Sequence, residues 1–190
     1  MKQLLTLAFV AAIAGNASAQ KQQSLHSGYP IDPVPFTSVK VTDSFWGQRL
    51  KANREVTIPL AFGKCEETGR YENFVKAAHP SDEYKVEGFS FDDTDVYKTI
   101  EGASYSLQTY PDKKLEKYID SVLVIVAAAQ EPDGYLYTAR TMNPKHPHNW
   151  SGPERWSEVE NLSHESIIWD TWWKGLWPIT KLLASGIFWI

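Results

Sequence analysis

The sequence predicts a mainly α fold assembled from helical hairpins. Two observations point there directly. Val96, Ile100, Ala103 and Leu107 recur at helical spacing, and so do Leu115, Ile119, Val122, Val126 and Ala129. Only a tight turn separates the two runs, which suggests a helical hairpin. A third observation is negative: strand signals are too few for a β-sandwich or a doubly wound sheet.

The elements follow in order. Residues 20–36 (QKQQSLHSGYPIDPVPF) are polar, carry Pro30, Pro33 and Pro35, and read as an extended leader. Alternating Val39 and Val41 suggest a short strand from Thr37 to Val41. Asp43 or Ser44 then caps a helix that starts near Phe45 and runs towards Lys64. Pro59 must kink or restart it, because proline lacks a donor and its ring collides with the preceding turn. Gly69 is its stop. Residues 70–90 read as irregular. A second helix starts at Asp93 or Thr94. Pro111 opens a third, with Asp112 in its first turn. Glu131-Pro132-Asp133-Gly134 is a turn, and Tyr135 to Thr138 makes a brief strand. Residues 139–156 form a loop, and Ser163 caps a fourth helix.

Composition narrows the class. A length of 190 residues with 43% hydrophobic residues allows one cored domain. The formal charge of −4 argues against nucleic acid, which a basic surface binds by displacing counterions. Residues 1–19 have the form of a secretory signal: Lys2, an apolar run from Leu4 to Gly15, and a small-x-small Ala17-Ser18-Ala19 site. A secreted or periplasmic location follows, and a membrane anchor is the alternative. Cys65 is the only cysteine, so neither an internal disulfide nor a four-cysteine zinc site can form. It reads as a half-buried helix cysteine.

Each polar motif has two readings. Asp92-Asp93-Thr94-Asp95 places three carboxylates at a helix start, for capping or for a sugar or metal. His146 and His148 have a ligand spacing that also arises freely in a proline-rich loop. His164-Glu165 lacks a second His one turn on, because residue 168 is Ile, so the general metalloprotease pattern fails. Trp46, Trp150 and Trp156 can stack on sugars or fill a core.

Taken in order, several segments are more specific. They are Asp43-Ser-Phe-Trp46 with Asn53-Arg-Glu-Val-Thr-Ile-Pro59; Glu67-Thr-Gly-Arg70 with Asn73-Phe74; Phe91-Asp-Asp-Thr-Asp-Val-Tyr-Lys98; Gln130-Glu-Pro-Asp-Gly-Tyr-Leu-Tyr-Thr138; and Ser163-His-Glu165. Together, over residues 37–165, they resemble the N-terminal part of the β-L-arabinofuranosidase family, glycoside hydrolase family 127 and its close relatives. The resemblance implies a partial (α/α)6 toroid of the six-hairpin glycosidase type, truncated here. It implies a retaining exo-glycosidase acting on arabinose-containing plant glycans, with no nucleic acid or membrane partner. It implies a zinc-held cysteine thiolate as nucleophile and a glutamic acid as proton donor. None of those catalytic or zinc residues matches a position in this chain, and Cys65 lies too early to be the nucleophile. The resemblance places His164 in the sugar pocket. Asp93 and Asp95 match family positions as frame or pocket rim, and Asp95 is the second substrate-binding candidate.

Two rival classes stay open. Another helical-toroid enzyme, a polysaccharide lyase or unsaturated-uronyl hydrolase, would use Arg140 or Arg155 on a substrate carboxylate. A non-catalytic glycan-binding protein would use Trp150 and Trp156 as stacking platforms.

The chain changes character after Glu165. Residues 166–190 hold Trp169, Trp172, Trp173, Trp177 and Trp189 and one acid, Asp170. The family pattern would continue with Leu-Tyr-Asn-Leu-Gly-His. A reading-frame slip accounts for the difference: with TGG split across codons, each Trp becomes Leu, Met or Val followed by Val, Ala, Asp, Glu or Gly. A membrane-active tail is the competing reading, against which Asp170, Lys174, Pro178 and Lys181 interrupt the apolar run. With about four helices of roughly twelve, such a chain is expected to be poorly stable and inactive.

Overall fold

The computed structural model describes residues 33–161 and 163–182, without the side chains of residues 176–182. The predicted signal segment and residues 20–32 of the leader lie outside the described residues. The chain divides into two compact units, one up to Val39 and one from Lys40 onward.

In the first unit the described residues make a 3-10 turn, Phe36–Ser38. The Ser38 amide donates to the Pro35 carbonyl at 2.8 Å and the Val39 amide to the Phe36 carbonyl at 3.0 Å. The strand expected from Thr37 to Val41 does not form. A strand needs a neighbour to take its backbone groups, and the described residues contain no β-strand.

The second unit is helical. Helix α1 (Ser44–Ala52) is capped by Asp43, whose Oδ1 accepts the Trp46 amide at 2.7 Å. It passes through a five-residue π turn, Asn53–Thr57, into α2 (Ile58–Glu67). The break expected at Pro59 therefore takes the form of a widened turn ahead of it. Proline offers no amide and crowds the carbonyl four residues back, and opening the turn relieves both demands. Gly69 ends α2 at φ 76°, as expected, and a Cβ there would lie 2.9 Å from the Glu87 Cβ.

Residues 70–78 are not irregular: they form α3 (Arg70–Ala78), which buries Asn73, Phe74 and Ala77. Asn73 explains why the pattern is hard to read. Its side chain donates to the Glu87 carbonyl and accepts the Glu87 amide, both at 2.8 Å, so a polar residue occupies the core face.

Helices α4 (Asp93–Thr109) and α5 (Lys113–Ala128) carry the predicted stripes. Val96, Ile100, Ala103, Leu107, Ile119, Val122, Val126 and Ala129 are all buried. Pro111 lies outside α5, and Asp112 is its cap, accepting the Lys114 and Leu115 amides at 2.8 and 3.2 Å. Gly134 turns the chain at φ 87°. Tyr135 to Tyr137 are buried without a partner strand, so the predicted brief strand is absent; a four-residue helix α6 (Thr138–Thr141) follows. The loop beyond it contains a 3-10 turn, Asn149–Ser151. Helix α7 (Glu165–Leu182) closes the described chain.

Helix α4 packs on α2, α3, α5 and α7, most extensively on α7. Tyr97, in its second turn, lies 5.7 Å from the Phe74 ring and 5.1 Å from the Trp172 ring. Gly175 lets the backbones approach there, since a Cβ would lie 3.2 Å from the Tyr97 carbonyl oxygen.

Candidate functional site

The acidic start of α4 is neither a set of caps nor a metal cluster. Asp93 is fully buried, and its carboxylate accepts the Thr138 amide at 2.9 Å and the Thr138 hydroxyl at 2.6 Å. Desolvation pushes its pKa up to about 7, against the lowering effect of the two Thr138 bonds. Asp92 is also buried and accepts the Phe89 amide at 2.9 Å. Arg70 joins the outer two acids, reaching Asp95 at 2.8 Å and Asp92 at 3.4 Å. The Asp95 side chain keeps 47% of its surface exposed. With Arg70, Lys98, Thr99 and Asn53 it lines an open groove between α2 and α4.

His164 occupies different surroundings. Its ring lies 4.5 Å from the Phe91 ring. Phe91 stacks in turn on Phe89 at 5.3 Å and on Trp150 at 6.4 Å, with interplanar angles of 7° and 15°. Phe89, 58% exposed, and Trp150 are open at the surface. Of the two predicted sugar-binding residues, His164 joins an aromatic row and Asp95 an ionic groove.

Glu165 was legible only as part of a motif, and its role comes from the structure. Its carboxylate is buried and accepts the Tyr135 hydroxyl, the Trp156 amide at 2.9 Å and the Ser163 hydroxyl at 2.7 Å. Desolvation and the bond to Glu165 both hold the Tyr135 phenol well above its ordinary pKa. Ser163 therefore serves Glu165 instead of capping α7, whose first intrahelical bond runs from the Ile168 amide to the His164 carbonyl at 2.8 Å.

The key groups of the rival sites take structural roles. Arg140 donates to the carbonyls of Ser151, Gly152 and Pro153, pinning the loop. Arg155 pairs with Glu131 and, at 2.6 Å, with Asp133. Both guanidiniums thus have protein partners, though both also line an open cavity beside Pro132 and Thr141. The His148 Nδ1 accepts the Trp150 amide at 3.2 Å. Among the described residues no group of three or more His, Cys, Asp or Glu gathers to hold a metal, and no helix is long and apolar enough to cross a membrane.

Cys65 does not fit a zinc-bound thiolate. It is buried on α2, and desolvation raises its pKa, which favours the thiol. Its charged neighbours are Arg70, Asp95 and Asp92, of which Arg70 already pairs with both acids.

Comparison with known proteins gives a consistent family. A solved GH127 β-arabinofuranosidase is 81% identical, with a TM-score of 0.81 over 83% of this chain and 25% of its own. The solved GH127 β-L-arabinofuranosidase of Geobacillus stearothermophilus T6 is 28% identical, with a TM-score of 0.67 over 77% of this chain and 23% of its own. The non-reducing end β-L-arabinofuranosidase of Bifidobacterium longum subsp. longum is 28% identical over 150 residues, 69% of this chain and 22% of that protein. The chain thus spans about a quarter of the length of these relatives. The model of the β-L-arabinofuranosidase GH127 catalytic domain matches residues 38–181, and the chain belongs to that family.

Proposed function

We propose that this chain is the N-terminal section of an exported, retaining β-L-arabinofuranosidase that removes arabinose from plant glycans. The observation that carries the reading is the 81% identity to a GH127 β-arabinofuranosidase. In this reading the hairpin α4–α5 and helices α2 and α3 begin an (α/α)6 toroid. His164 belongs to the wall of the sugar pocket, and the row of Phe89, Phe91 and Trp150 flanks it. Asp95 is held by Arg70 as a rim or frame residue. Zinc, the nucleophilic thiolate and the proton donor are assigned to sequence outside these 190 residues, because Cys65 is a buried thiol with no ligand set among the described residues. The segment after Glu165 is read as translated out of frame, with residues 1–19 an export signal.

The test compares two proteins on a synthetic β-L-arabinofuranoside. The complete enzyme releases L-arabinose with retention at the anomeric carbon, and the 190-residue chain releases none. Arabinose release by the short chain would overturn its assignment as an inactive section. No release by the complete enzyme would overturn the substrate assignment. Sequencing the codons for residues 160–190 settles the frame directly.

A further inference from the structure

Glu165 has no part in the reaction just described, yet its surroundings are specific. The residue is 1% exposed. A buried carboxylate costs several kcal/mol unless donors take up its lone pairs. Here the donors come from separate places: Tyr135 after the α5 turn, Trp156 in the long loop, and Ser163 beside His164.

The Trp156 contact is the informative one. Its φ of 64° makes it the only non-glycine in the left-handed region among the described residues. A bulky residue there costs about 1–3 kcal/mol, which glycine would not incur. Burial of the ring within this chain does not account for that cost, because Trp156 is 47% exposed in it. The ring meets Tyr135 edge-on at 5.7 Å and Trp169 at 6.5 Å, leaving indole surface open. A strained backbone, an internal carboxylate bonded to its amide and an exposed aromatic ring together describe a side chain held ready for a ligand.

We propose that Glu165 is a positioning residue of the sugar site: it fixes the left-handed backbone at Trp156 so that the indole is presented to a sugar ring of the glycan. The ring concerned is a sugar of the glycan, whose C–H face suits an aromatic surface. Through Ser163 the same carboxylate fixes the backbone that carries His164. The inference rests on the arabinofuranosidase reading above.

The test uses the complete enzyme with Glu165→Ala, Glu165→Gln and Trp156→Gly. Glu165→Ala raises KM for an arabinofuranosyl disaccharide about threefold to tenfold, with kcat nearly unchanged. Glu165→Gln restores much of the loss, since its amide oxygen still accepts the Trp156 amide. Trp156→Gly raises KM similarly while the melting temperature holds or increases, because glycine removes the strain. A lower melting temperature with an unchanged KM in Trp156→Gly would make the ring simple packing and overturn the proposal. If the wild-type enzyme releases no arabinose at all, the activity reading fails, and amide exchange at Trp156 decides the positioning claim separately. Protection lost in Glu165→Ala and kept in Glu165→Gln supports it; equal protection in all proteins overturns it.

Discussion

Burial holds the Asp93 carboxyl near a pKa of about 7, above its ordinary 3.8, so this one side chain ties stability to pH. The folded protein keeps the proton through a range where the unfolded chain has released it. Stability therefore falls as pH rises from about 4 to about 7, and flattens above. Thermal midpoints across that range should slope downward in the wild type, and the Asp93→Asn variant should lack Asp93's share of the slope. A wild-type-minus-variant difference that does not change with pH would refute this. Tyr97 gives a second prediction at the same scale. It is fully buried, and its hydroxyl has no partner among the described residues. Tyr97→Phe should raise the unfolding free energy by about 1 kcal/mol, read from urea denaturation, because an unsatisfied group is removed and the ring stays. The candidate site was only partly legible at this scale. The motif singled out His164 as a candidate, but the hydrogen bonds of Glu165 could not be read, because its donors lie as far away in sequence as Tyr135.

At the scale of elements, apolar periodicity gave α5 because its buried face is aliphatic throughout, and α4 because Val96, Ile100, Ala103 and Leu107 keep helical spacing among its buried polar and aromatic residues. It failed for α3, where Asn73 occupies the buried face and ties down the Glu87 backbone. The brief strands predicted at Thr37 and Tyr135 have suitable side chains, but no neighbouring strand meets them among the described residues; pairing is a property of two segments and neither sequence run contains it. Asn73→Leu tests the anchoring role. It preserves bulk and removes both bonds to Glu87, so the loop from residue 79 to residue 92 should lose amide protection, with a stability loss of about 2–4 kcal/mol. Gly69→Ala should cost about 1–3 kcal/mol by chemical denaturation, since the left-handed turn and the nearby Glu87 Cβ both oppose a methyl group. Full stability in Gly69→Ala would show that the α2–α3 junction rearranges at no cost.

At the scale of the whole molecule, large apolar side chains stand open on several helices. Val56 is 61% exposed, Leu60 and Trp173 58%, and Val124 70%. A surface of this kind promotes self-association. The purified 190-residue chain should bind a hydrophobic dye and sediment as a concentration-dependent mixture. A monodisperse species with no dye binding would contradict that expectation. The central place of α4 has a further result during synthesis. Tyr97 emerges from the ribosome well before Trp172, the ring that covers it from α7. At ~5–20 residues per second the intervening stretch takes several seconds to translate. Through that interval the nascent chain carries a bare aromatic flank, a natural hold for a ribosome-associated chaperone.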